Sequence, residues 1–414
     1  MTSAVTATKP DPELESRAQA LHQRSIVVDT EAPVFTSQMM FTDAMKALAK
    51  DMIESGRSRS EVKYALGELL CEEIRADPSV RDDYVQFWNR AGVTAASSSI
   101  YDTGVPWLAW EEALRELSTA SRMIALLDGS ITAAMTSDDI RSAHARGART
   151  VIHNMQNTDP LDEQLDRLDV LFGLGVRIVQ LTYNLRNRFG DGCLDRRDGG
   201  LSRLGERLVG QLNDLGILID VSHCSDETIL DTLQTSTRPI ACTHTSVRAI
   251  SQHARAKPDS VLRAVAERGG YVGILLVPFF IVPPEGDARA NALGLPSGHA
   301  TLDMMVDHIE YVLNIAGSDT VGIGTDWSKP FQDALRVAAT NGGLATRSQT
   351  TGFDWVGWRP VDRYSRDVYT AGFESWDFWP NITTAMLRRG IPEDTVSKVL
   401  GENFLRVFGA AQSA

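Results

Sequence analysis

The chain has 414 residues, of which 43% are apolar and 23% charged, with a formal net charge of −13 and a sequence pI near 5.1. That balance describes a core-forming globular chain rather than a disordered or fibrous one, and it lacks the basic surface that nucleic acid or anionic lipid requires. The N-terminus is polar with no basic and apolar leader pattern, and no uncharged apolar run reaches spanning length, so a cytoplasmic protein without membrane or nucleic-acid partners is expected.

Eight apolar, strand-like runs follow one another: "SIVVD" from Ser25, "GVTAASSSI" around Val93, "ARTVIH" ending at His153, "VRIVQLT" ending at Thr182, "GILIDVS" ending at Ser222, "RPIACT" ending at Thr243, "GYVGILLV" around Val272 and "TVGIGT" ending at Thr325. Between them lie amphipathic helical patterns, "LDEQLDRLDVLFGLG", "LSRLGERLVGQLNDLG" and "PDSVLRAVAERGG", each closed by a glycine where a helix C-cap needs one. Strand and helix alternating eight times predict an α/β fold, a (β/α)8 TIM-type barrel. No glycine-rich dinucleotide fingerprint follows the first strand, which disfavours an open doubly wound sheet.

Residues 1–24 read as an N-terminal extension and 25–410 as one barrel domain. A helical excursion, "TDAMKALAKDMIESGRSRSEVKYALGELLCEEIRAD", separates the first two strands, and a loop-rich insertion of aromatic and glycine residues runs from Asn341 to Trp379 after the eighth.

A barrel does its chemistry where the strands end. There stand Glu31 after the first strand, Gln156 after the third, Tyr183 after the fourth, His223 after the fifth, His244 after the sixth and Asp326 after the eighth. Two of only eight histidines at neighbouring strand ends, with two carboxylates, supply the donor types for Zn2+ or another divalent metal. The four cysteines, Cys71, Cys193, Cys224 and Cys242, have no paired spacing and are expected as reduced thiols, with Cys242 a small core residue. A glycine pair in "RDGGLSRLGERL" suits either a tight turn or a phosphate at a helix start.

The stretches "GILIDVSHCSDETILDTL", "RPIACTHTSVRAI", "VGIGTDW", "LTYNLRNRFGDGC" and "RRGIPEDTVSKVLGENFLRVF" resemble the membrane (renal) dipeptidase family, zinc peptidases of the amidohydrolase superfamily. The resemblance runs from Ile26 to Phe408. It implies a (β/α)8 barrel that holds two zinc ions and hydrolyses dipeptides, and it assigns His223 and His244 as ligands of one zinc, Asp326 as the acid/base aspartate and Arg248 as the holder of the substrate carboxylate.

Four positions depart from the family pattern. The His-x-Asp pair implied for the first strand is here Glu31-x-Pro33, the bridging glutamate is Gln156, and the substrate-binding histidine is Tyr183. Proline offers no donor atom and glutamine only a neutral one, so a single ion is expected, held by His223, His244, Asp326 and Glu31. Tyr183 is read as either catalytic or substrate-binding, and Gln156 as substrate-binding. A hydrolase of an amide bond in a small carboxylate-bearing substrate follows, with a metal-dependent decarboxylase-type lyase and a metal-free pseudoenzyme as the alternatives. A homodimer is expected, as is common for this fold.

Overall fold

The computed structural model describes residues 11–32, 40–57, 59–102, 106–284, 286–292, 294–295, 298–327 and 369–413. Each of the eight apolar runs forms a strand: β1 (Val28–Asp29), β2 (Ala95–Ser99), β3 (Arg149–Met155), β4 (Val176–Gln180), β5 (Leu218–Asp220), β6 (Ala241–Val247), β7 (Tyr271–Ile274) and β8 (Val321–Ile323). They pair in that order, all parallel. The seam between β8 and β1 is bridged by the Thr30 N–H on the Ile323 carbonyl at 3.1 Å and by the Asp326 N–H on the Glu31 carbonyl at 2.8 Å. The result is a nearly closed TIM-type barrel. Strands so buried on both faces read as continuous apolar or small-residue runs, which is why they were legible. Two further short strands lie off the ring, Ile131–Ala133 beside β3 and Ala256–Lys257 beside β6.

Helices cover the outside. The excursion after β1 forms α1 (Asp43–Glu54), α2 (Arg59–Ala76) and α3 (Pro78–Ala91). After β4 and β5 come α4 (Arg203–Leu215), whose left-handed cap is Gly216, and α5 (Asp226–Thr235), which starts three residues past His223. The N-terminal helix Pro12–Arg24 packs on the same layer, where His22 bonds Thr383 at 2.8 Å and the Ala91 carbonyl at 2.9 Å. Most of the insertion after β8 lies outside the described residues. Its end does not: Trp376 and Trp379 are fully buried.

Inside, the amino-terminal end of the barrel is plugged by Phe404 and Phe408 of the helix Asn403–Gln412, against the first residues of several strands. Above that plug the bore is very narrow. The Thr30 hydroxyl crosses it to donate to the Thr243 carbonyl at 2.5 Å, and a Cβ added at Gly273 or Gly324 would sit 2.0 or 2.2 Å from that same carbonyl oxygen. These glycines let backbone approach backbone, so everything polar beyond this layer is confined to the strands' carboxyl ends.

Candidate active site

The strand-end residues meet at that face. His223 and His244 point their Nε2 atoms at each other across 2.9 Å, rings inclined at 60°. Each ring's other nitrogen is engaged: His223 Nδ1 with Asn184 Oδ1 at 2.7 Å, His244 Nδ1 with Thr243 Oγ1 at 2.8 Å. Neither partner leaves Nδ1 in need of a proton from elsewhere, because the amide oxygen accepts and the Thr243 hydroxyl gives its own hydrogen to Asp220 Oδ2 at 2.6 Å. Both Nε2 atoms then carry lone pairs. Burial holds both imidazoles well below their ordinary pKa, helped by the nearby Arg255 and Lys257 cations, so they are kept in the neutral form that binds metals.

Glu31 is buried at the end of β1. Its Oε2 accepts from Asn154 Nδ2 at 3.0 Å, Gln156 adjoins it, and its Oε1 has no hydrogen-bond partner; neither has Asn154 Oδ1. Burial, then the charges of Asp326, Asp220 and Asp29, raise this carboxyl well above the usual range. Asp326, next to it across the β8–β1 seam, has the left-handed backbone angle φ 52°, a conformation few non-glycine residues adopt outside constrained sites.

Two facing imidazole lone pairs and two orphaned, buried acceptor oxygens form a donor set that suits a cation. Imidazole nitrogens on one zinc stand roughly 3.3 Å apart for Zn–N bonds near 2.05 Å, close to the observed spacing. The expected ligands are not, however, gathered as a cage: among the described residues no three His, Cys, Asp or Glu side chains converge on one point. His223 and His244 are in contact, whereas Glu31 is held by Asn154. Pro33 lies outside the described residues.

Tyr183 stacks on His223 with ring centres 4.1 Å apart and planes within 19°. Arg248 is committed elsewhere: its two terminal nitrogens grip Asp226 in a bidentate pair, and Nε donates to the Ala256 carbonyl at 3.0 Å. A buried arginine the sequence reading passed over lies nearer. Arg255 bonds the carbonyls of Ser222 and of His244, the latter at 2.9 Å, and its Nε has no partner. Lys257 is likewise fully buried, with Nζ on the Cys224 carbonyl at 2.7 Å. Both stand around the short off-ring strand, and no local pattern marked them.

The remaining sequence features resolve simply. Cys242 is a core residue whose thiol burial pushes up to about 12, and Cys224 is pushed up to about 11, so neither is a reactive thiolate. The glycine pair is a turn: Gly199 N–H donates to Asp191 Oδ2 at 2.6 Å and Gly200 N–H to Asp198 Oδ1 at 3.2 Å. No helix among the described residues is long and apolar enough to cross a membrane.

Fold and site together define a parallel (β/α)8 barrel with a polar centre of imidazole and carboxylate at its carboxyl-terminal mouth. The chain belongs to the membrane dipeptidase family, peptidase family M19, whose pattern matches residues 15–338. It is 24% identical over 324 residues to dipeptidase tcpJ of Claviceps purpurea; the match spans 78% of this chain and only 65% of that relative. An amidohydrolase from Pseudomonas aeruginosa is 25% identical and superposes with a TM-score of 0.68, covering 95% of this chain and 99% of the other. The probable dipeptidase PvdM, also from Pseudomonas aeruginosa, shares the fold at 20% identity, with a TM-score of 0.70 over 97% of this chain and 99% of its own.

Proposed function

We propose that the protein is a metal-dependent hydrolase that cleaves an amide bond in a small carboxylate-bearing substrate, working with one divalent ion. The observation that carries this reading is the His223–His244 pair, two neutral imidazoles presenting lone pairs to one point. His223 and His244 would hold the ion, with Glu31 and Asp326 as the neighbouring carboxylates. A divalent ion bound there supplies a water of lowered pKa and polarises a carbonyl.

The chain's own groups do the rest. Asp326, poised by its strained backbone at the seam, takes the proton of the attacking water and passes it to the leaving nitrogen, so that amide and water become acid and amine. An anionic substrate group near the imidazoles meets the positive potential of Arg255 and Lys257. The same role for Arg248 requires a substrate carboxylate to displace Asp226. Tyr183 covers one face of His223 and borders the space where the acyl group lies.

Glutamine in place of a bridging carboxylate, and Pro33 in place of a donor, are what argue for one ion rather than two. The test is amine release from a panel of dipeptides and N-acyl amino acids by zinc-loaded protein. Release that is lost in Asp326→Asn supports the reading. Carbon dioxide release from aromatic acids without amine release would replace hydrolysis by decarboxylation.

A further inference from the structure

We infer that Asp220 and Thr243 form a relay that positions His244, fixing its proton on Nδ1 so that Nε2 is presented to the metal. The inference rests on the metal reading above, but its geometry stands by itself. Asp220, the last residue of β5, receives four donors: Ser222 N–H at 2.9 Å and Ser222 Oγ at 2.5 Å on Oδ1, Thr243 N–H at 3.0 Å also on Oδ1, and Thr243 Oγ1 at 2.6 Å on Oδ2. A carboxylate surrounded by donors is an acceptor. The Thr243 hydroxyl therefore spends its only hydrogen on Asp220 and can only accept from His244 Nδ1, 2.8 Å away.

The relay also fixes where the ring sits. Ser222 Oγ, itself donating to Asp220, accepts the His244 main-chain N–H at 3.0 Å, and Arg255 holds the His244 carbonyl at 2.9 Å. One carboxylate thus controls the backbone and the tautomer of a residue on the next strand. The barrel uses the same clamp once more: Asp29 Oδ1 accepts Thr325 N–H at 2.8 Å and Oδ2 accepts Thr325 Oγ1 at 2.6 Å, just before Asp326. There the carboxylate is finished by two indole N–H groups and no imidazole follows, so that copy sets backbone alone. Of these two clamps, it is the one at Thr243 whose hydroxyl passes the polarity on to a ring nitrogen, the arrangement by which outer partners orient metal-binding histidines.

The experiment uses the full chain with 15N-labelled histidine, observing ring tautomers in the metal-free protein, and Zn2+ affinity by competition with a chromophoric chelator. His308 is the internal reference. Its Nδ1 accepts the Val247 N–H and its Nε2 faces the Ile281 carbonyl, both at 3.0 Å, which fixes the opposite tautomer. Wild type should show His244 protonated on Nδ1. Thr243→Val should show mixed tautomers and bind Zn2+ about 10- to 100-fold more weakly, with Thr243→Ser restored to within about threefold of wild type. Asp220→Asn gives the same readout should Thr243→Val fold poorly. A wild-type His244 protonated on Nε2, or Thr243→Val with unchanged Zn2+ affinity and tautomer, would overturn the relay. A wild type that binds no Zn2+ yet shows the Nδ1 tautomer, lost in Thr243→Val, upholds the relay and overturns the metal reading instead.

Discussion

Asp29 receives the Thr325 N–H at 2.8 Å and the Thr325 hydroxyl at 2.6 Å, and with them joins the first strand to the eighth. Trp376 and Trp379 complete its shell through their indole N–H groups, at 2.9 and 3.1 Å. One carboxylate therefore satisfies four donors from two distant segments, and it stands two residues before Glu31 and directly beside the turn that carries Asp326.

Removing it should be expensive. Asp29→Ala leaves those four donors buried without an acceptor, and a cost of roughly 3–5 kcal/mol is expected from the loss of a buried polar hub. Urea denaturation measures it. A midpoint within error of wild type would show that the seam does not depend on this residue.

Acid should weaken the fold through its buried histidines. His308 is lowered to about 4 because burial disfavours its charged form, whereas an unfolded histidine titrates near 6.5. Between those values the unfolded chain takes up a proton that the folded one refuses. The stability associated with His308 is therefore complete above pH 6.5 and is lost progressively as pH falls to about 4, by about 3 kcal/mol at the limit. His308→Gln should flatten this part of the pH dependence, read as the change in urea midpoint between pH 7 and pH 5. An equal change in both proteins would contradict the assignment.

The bore beneath the site tolerates no added atom. A Cβ at Gly324 meets the Thr243 carbonyl oxygen at 2.2 Å and the Thr30 hydroxyl at 2.6 Å, and both belong to the layer that supports the site. Gly324→Ala should cost about 3 kcal/mol or more, since the obstacle is backbone rather than a movable side chain. Wild-type stability in this variant would mean that β6 and β8 can separate freely.

Tyr183 should serve the site by packing first. Tyr183→Phe keeps the ring on His223 and is expected to leave Zn2+ affinity within about threefold, while Tyr183→Ala removes a stack worth about 0.5–1.5 kcal/mol and weakens binding two- to tenfold. Chelator competition separates the two. If Tyr183→Phe lowers kcat/KM with Zn2+ affinity intact, the hydroxyl touches the reacting group.

The barrel was legible because its strands are buried on both faces, so runs such as "GILIDVS" and "GYVGILLV" announce themselves, and because Gly216 closes its helix where a left-handed cap is required. His223, His244, Glu31 and Asp326 could be located by position alone, since a strand's end fixes where its next residue points. What the sequence withheld depends on contacts between distant segments. Asp226 reaches Arg248 from the preceding helix and takes it out of use, Arg255 enters the site from just before a two-residue strand, and Asn154 occupies one oxygen of Glu31. No periodicity encodes those pairings.

The central claim is one divalent ion at the His223–His244 pair. Elemental analysis of zinc-reconstituted, desalted protein tests it most directly, with His223→Ala and His244→Ala alongside. One ion per chain in wild type and none in either variant is the predicted result; two ions per chain, or an ion retained without the imidazoles, would contradict it.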